Sequence, residues 1–260
     1  MDTVNRFKEL IEAELERLIP ADPSSLYEGG RYILLAPCKR IRPLLTLATA
    51  EMLHEGGWRQ ALYPACSLEM VHTYSLIHDD LPCMDDDKTR RGRPALHCVY
   101  NEGHAVLVGD YLLTYAFEIL ASAPFLSNEQ KMALVTTLAK SAGGEGMVGG
   151  QVMDLENHSF VTEMNRRKTA CLFQAALAFG GIASDCSPHT LQTLKTFGIQ
   201  FGQLFQMVDD ILDHEDTVEG ENPFENANTL YYEVLQTLKK IPKDSSTLNY
   251  LTKLVFEQLH

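Results

Sequence analysis

The chain has 260 residues, 45% hydrophobic and 22% charged, enough to bury a sizeable core as one domain spanning residues 1–260. Its 35 acidic residues against 22 Lys and Arg give a formal net charge of -13, which repels nucleic acid and anionic membranes and excludes a nucleic-acid binder. No stretch approaches about 18 uninterrupted apolar residues, and the acidic start MDTVNRFKELIEAELERLIP lacks the basic opening and apolar run of a signal peptide. No membrane insertion and a cytoplasmic location are therefore expected.

Helical periodicity runs almost throughout. Val4, Phe7, Leu10, Ile11, Leu15 and Leu18 form one apolar stripe, which Pro20 and Pro23 end. Comparable helical stretches are expected at roughly 40–54, 62–81, 97–121, 127–142, 160–180, 189–215, 227–239 and 246–259. Nothing repeats the strand, Gly-rich turn and helix of a dinucleotide fold, so the expected class is an all-α bundle of long, mutually packed helices. The run GGEGMVGG at 143–150 is expected to break a helix or to let neighbouring helices pack backbone to backbone. The polar, acidic segment 215–228 reads as a loop. The six cysteines show no CxxC or finger-like spacing and read as reduced, mostly buried thiols.

Two segments carry chemistry. In YSLIHDDLPCMDDDKTRRGRP, Asp79, Asp80, Asp85, Asp86 and Asp87 crowd five carboxylates into nine residues. Their mutual repulsion is relieved by a hard divalent cation, because Mg2+ takes oxygen ligands from one or two carboxylates, water and substrate phosphates. In FGQLFQMVDDILDHED, Asp209 and Asp213 fall four residues apart on one helical face with Asp210 beside them, which suggests a metal site shared with the first segment. Three basic patches (Lys39, Arg40 and Arg42; Arg90, Arg91 and Arg93; Arg166, Arg167 and Lys168) offer phosphate contacts, and carboxylates plus basic patches imply a diphosphate ligand. Arg40 and Arg167 individually read equally well as balancing surface acid. His72 reads as a phosphate contact or a structural residue, and His78 as structural.

In these residues the chain resembles the short-chain trans-prenyl diphosphate synthases, the family of farnesyl and geranylgeranyl diphosphate synthases. DDLPCMD at 79–85 followed by RRG matches the family's first aspartate-rich motif in its bacterial form, and FQMVDDILD matches the second. EMVHTYSLIHDD supplies Glu69 and His72, KRIRP supplies Lys39, Arg40 and Arg42, and RKT supplies Lys168 and Thr169. The resemblance covers roughly residues 27–215 and implies an isoprenoid-synthase bundle of mostly antiparallel helices around a central cavity.

It further implies that Asp79, Asp85 and Asp209 bind Mg2+, three ions when diphosphate is bound, with Asp80, Asp210 and Asp213 in support. Arg90, Lys168, Thr169 and Gln206 are implied to hold an allylic diphosphate, and Lys39, Arg42, His72 and Arg91 isopentenyl diphosphate. The implied reaction is ionisation and head-to-tail condensation in a homodimeric enzyme. Tyr74, five residues before the first motif, and Ser75 are implied to floor the trough for the growing chain, which favours a C15 product over C20. Three departures stand out: Pro37 and Cys38 replace two glycines, no lysine occurs between Lys195 and Lys239, and the C-terminal region is short. They keep a non-catalytic subunit open as an alternative, whereas DDILD argues against a class I terpene cyclase.

Overall fold

The computed structural model describes residues 2–156, 161–213 and 222–259. The first stripe forms α1 (Asp2–Leu18), which buries Phe7, Ile11, Leu15 and Leu18. Next comes α2 (Ser25–Leu34), a helix outside every expected stretch. Its Gly29 and Gly30 weaken the periodic signal but allow close packing, since a Cβ on Gly29 would lie 2.9 Å from Val108 Cγ2. After α3 (Ile41–Leu53), α4 (Trp58–Asp79) buries every residue from Ala65 to Val71 and so has no outward face over that span. It packs against α3, α6 (Glu102–Ser122) and α10 (Cys171–Ala183), while α10 also contacts α7 (Asn128–Ala142) and α11 (Pro188–Leu212). The result is an all-α bundle of long, largely antiparallel helices built around two central, apolar ones.

The boundaries follow local chemistry. The stretch expected at 97–121 is two helices, α5 (Leu96–Val99) and α6, because the extended Asn101 accepts a 2.8 Å hydrogen bond from the His104 N–H and starts a new helix. Among the described residues α6 is the one helix with the length and apolar composition of a membrane span, yet Val108, Leu112, Ala116 and Leu120 pack into the core. Ser127 and Gln130 form a reciprocal capping box on α7. The glycine run does both things expected of it. It separates α7 from α8 (Met147–Leu155), and Gly150 seats α8 against backbone, since a Cβ there would lie 2.2 Å from the Lys168 nitrogen.

Three expectations need correction. The stretch at 160–180 comprises α9 (Val161–Asn165), a π-helical turn (Arg166–Ala170) and α10. Of the loop expected over 215–228, residues 215–221 lie outside the described residues, and the remainder opens α12 (Pro223–Leu238), where Asn222 caps the Glu225 N–H and Pro223 takes the first helical position. Composition that reads as a loop is here a helix start. The cysteines are all free, but only Cys66 and Cys171 are buried, whereas Cys83 and Cys98 are exposed. The chain continues through α13 (Ser246–Phe256) into a 3-10 turn at Glu257–Leu259.

Candidate active site

The first aspartate segment begins where α4 ends, and its two leading carboxylates point to different partners. Asp79 lines a cavity, while Asp80 is 1% exposed and accepts from Arg90 Nε at 2.8 Å and Nη2 at 2.5 Å. Arg90 Nη2 also reaches Asp87 Oδ2 at 2.7 Å. Arg90 is held in place by a two-stranded antiparallel ribbon of β1 (Thr89–Arg90) and β2 (Arg93–Pro94), in which Arg90 pairs with Arg93. The two-residue turn between them has φ 54° at Arg91 and 73° at Gly92, the left-handed pair that matches strand twist in tight hairpins. Backbone closure brings the next carboxylate near, because the Asp85 N–H donates to the Asp79 carbonyl at 2.9 Å.

The second segment lies near the end of α11. Gln206 Nε2 donates to Asp210 Oδ1 at 2.7 Å, and the Gln206 carbonyl accepts from Thr169 Oγ1 at 2.7 Å. A chain of bonds thus joins α11 to the π-helical turn, which also carries Lys168. Such turns recur at functional sites. Lys168 Nζ donates to Asp154 Oδ2 of α8. Asp154 was not singled out in the sequence, and the signal that points to it is a carboxylate on the helix that the glycine run seats against the Lys168 backbone. Gln151, one turn earlier on α8, lines the same cavity as Asp79.

The basic patches divide by partner. Arg40 is 3% exposed and bound to Glu69 at 2.6 Å and to the Leu34 and Ala36 carbonyls, a structural pair in the core. Arg91 donates to the Ile33 carbonyl at 3.0 Å and to Glu69 at 3.4 Å, so one buried carboxylate anchors two arginines. Arg42 stacks 4.3 Å from the Phe173 ring centroid and donates from Nη1 to His72 Nε2 at 3.3 Å. Burial and the neighbouring arginines hold the His72 imidazole well below its usual range, hence neutral and able to accept that bond. Burial also lowers Arg42, to about 10. Lys39 donates to Gln258 in the C-terminal turn and acts at longer range on Asp209. Arg166 and Arg167 both pair with Glu163 at 2.6 Å, which removes them from the phosphate-facing set. His78 meets the Val106 carbonyl at 3.1 Å and is built into the helix packing.

The cavity, of about 340 Å3, has two characters. Arg42, His72, Asp79, Lys168 and Thr169 line it with polar groups, and Tyr74, Met84, Met147, Val152 and Leu172 line it with apolar ones. Tyr74 is 6% exposed, and burial raises its phenol to about 12, so it contributes a neutral ring. Ser75 lines the cavity beside it and bonds the His72 carbonyl at 2.9 Å.

Burial and neighbouring carboxylates raise both Asp79 and Asp209 to about 6. Among the described residues no three His, Cys, Asp or Glu side chains are arranged to hold a metal ion by themselves. The donor chemistry of these aspartates fits Mg2+, a hard ion that takes one or two protein carboxylates and completes its shell with water and substrate phosphate.

Comparison with known proteins agrees in extent and in fold. The profile of the polyprenyl synthetase family matches residues 23–223. The chain is 40% identical to a farnesyl diphosphate synthase of Haemophilus influenzae, over 94% of this chain and 91% of that protein. It is 42% identical to the large subunit 1 of a heterodimeric geranylgeranyl pyrophosphate synthase of Arabidopsis thaliana, over 79% of this chain but only 58% of the plant protein. A geranyltransferase from Helicobacter pylori, solved with magnesium and isoprenyl diphosphate, superposes with a TM-score of 0.85 at 31% identity, over 98% of this chain and 96% of that one. The chain therefore belongs to the polyprenyl synthetase family, as a short-chain trans-prenyltransferase with the isoprenoid-synthase fold.

Proposed function

We propose that this chain is a Mg2+-dependent synthase that joins isopentenyl diphosphate to dimethylallyl and then geranyl diphosphate, with farnesyl diphosphate as its end product. The carrying observation is the cavity itself, about 340 Å3, in which Arg42, Lys168 and the Asp79 carboxylate meet a wall of Tyr74, Met84, Met147, Val152 and Leu172. In this reading Asp79, Asp85 and Asp209 hold the metal, as three ions once diphosphate is bound, and Asp80, Asp210 and Asp213 support them. When bound, Mg2+ supplies charge neutralisation on the leaving diphosphate.

Lys168, Thr169 and Gln206 orient the allylic diphosphate, with Arg90 fixing the loop beside it. Lys39, Arg42, His72 and Arg91 orient isopentenyl diphosphate, where the neutral His72 accepts from Arg42 and leaves other guanidinium N–H groups for phosphate oxygen. The allylic C–O bond breaks with its electron pair leaving on diphosphate, the isopentenyl double bond attacks the cation, and the released diphosphate takes the proton lost. Preorganised cations favour the charge that develops on the leaving group, and the apolar walls keep water from the cation. The enzyme acts as a cytoplasmic homodimer of one domain.

Tyr74 supports the C15 assignment, because a buried neutral ring limits the depth available to the tail. The test is incubation with Mg2+, isopentenyl diphosphate and dimethylallyl, geranyl or farnesyl diphosphate in turn, with products resolved by chain length. C15 from the two shorter primers and none beyond it is expected. A C20 product overturns the length assignment, and folded protein that condenses no primer overturns the catalytic reading.

A further inference from the structure

Outside the residues already assigned, one contact in the cavity wall is unusually close. A Cβ built on Gly109 of α6 would lie 2.2 Å from His78 Nε2 and 2.6 Å from its Cδ2, so the imidazole occupies the space that any other residue at 109 would need. The same ring is fixed from two more sides. Nε2 meets the Val106 carbonyl at 3.1 Å, and the Tyr74 ring stands edge-on to it with centroids 5.6 Å apart and planes at 77°. Tyr74 and His78 are one turn apart on one face of α4, and both line the cavity. The ring thus stands between the Gly109 backbone and the cavity that His78 lines.

We propose that His78, seated in the Gly109 notch of α6, is a specificity-determining residue that sets the width of the tail channel beside Tyr74. The ring fills a gap between α4 and α6 that would otherwise join the cavity. Tyr74 keeps its position because His78 braces it, and His78 keeps its own because Gly109 lacks a side chain. Channel length and channel width are thus set by two rings on one helix, the second locked by a glycine on its neighbour. This rests on the prenyl-transfer reading above and names the residue that tunes it.

The geometry gives substitutions of opposite sign. In Gly109→Ala the new methyl expels the imidazole toward the cavity, so long tails lose room. In His78→Ala the notch empties and long tails gain it. A difference of one or two methyl-sized groups in an apolar pocket is worth about 10-fold or more in discrimination. The ratio of C15 to C10 product is therefore expected to fall about 10-fold in Gly109→Ala, and products beyond C15 to rise by a similar factor in His78→Ala.

The deciding variant is the pair. If Gly109→Ala acts by displacing His78, adding His78→Ala cancels its effect, and the double variant gives the product profile of His78→Ala alone. Binding of dimethylallyl and geranyl diphosphate to each variant, measured with Mg2+ by calorimetry, gives a second readout that turnover does not enter. Gly109→Ala is expected to weaken geranyl more than dimethylallyl diphosphate, and circular dichroism confirms that each variant is folded. Additive effects in the double variant, or unchanged profiles and binding ratios in both single variants, overturn the assignment of His78 while leaving prenyl transfer intact. Wild-type protein that neither condenses nor binds these diphosphates overturns the functional reading, and the role of His78 with it.

Discussion

The two aspartate segments look alike in sequence and are built differently. The first lies in the loop after α4, and its charge is balanced within the segment: Arg90 spans Asp80 and Asp87 and is itself fixed by a tight ribbon. The second rides on the end of α11, and among the described residues no arginine pairs with its carboxylates: Asp210 is bonded by the neutral amide of Gln206, and Lys39 and Arg42 act on Asp209 at longer range. A turn segment is held by a few separate backbone bonds, such as that from the Asp85 N–H to the Asp79 carbonyl, and the Arg90 cation ties its carboxylates further. A helix is already held by its own backbone bonds and needs no such internal cation.

The sharpest way to break this comparison is to delete one carboxylate from each segment whose protonation is favoured by burial, Asp79 in the first and Asp209 in the second. Asp79→Ala and Asp209→Ala are each expected to lower turnover by about 100- to 1,000-fold, the usual loss when a preorganised contact to developing charge is removed. Helical content should be unchanged in both. Steady-state assays beside circular dichroism check this, and wild-type turnover in either variant would remove that residue from the metal set. The same carboxylates are raised to about 6 by burial and like charge, so Asp79→Asn is expected to melt no lower than wild type without Mg2+ despite its loss of activity.

The supporting residues separate the segments by stability. Arg90→Ala leaves Asp80, 1% exposed, without its cation, which should cost about 2–3 kcal/mol. Gln206→Ala removes neutral-amide bonds from a helix that stands without them, and about 1 kcal/mol is expected. Urea melts measure both. Equal losses would mean that the two segments are organised in the same way.

What could be read from the sequence divides along the same line. Periodicity marks the long helices, and carboxylate spacing with nearby cations marks the chemistry, because both signals repeat over several residues. The ribbon at 89–94 leaves no such trace, since two-residue strands have no period. Its only mark is Arg91-Gly92, a pair suited to positive φ. Which arginine meets which carboxylate was hidden for a different reason. Arg40 and Arg42 are two residues apart, yet one closes on Glu69 in the core and the other faces the cavity, a choice made by the left-handed backbone at Arg40 and by the packing of α4. The link between Lys168 and Asp154 required knowing that Gly150 lets α8 touch the π-helical turn.

The smallest effect concerns the cation that the second segment borrows. Arg42 is oriented by His72, whose imidazole stays neutral in the fold because burial and the surrounding arginines oppose its protonation. The sign follows from linkage. The folded pKa lies below the unfolded value of about 6.5, so as pH falls through that value the unfolded chain takes up a proton that the folded chain refuses, and stability declines. Between pH 7 and pH 5.5 this one group should remove about 1 kcal/mol. His72→Gln keeps an acceptor for Arg42 but cannot titrate, so its loss of stability over the same interval should be smaller than that of wild type by about that amount. Taking the difference between the two proteins cancels the carboxylates that titrate in both. Identical pH slopes would show that His72 is protonated in the fold, and that Arg42 is held toward the cavity by the Phe173 ring without a histidine acceptor.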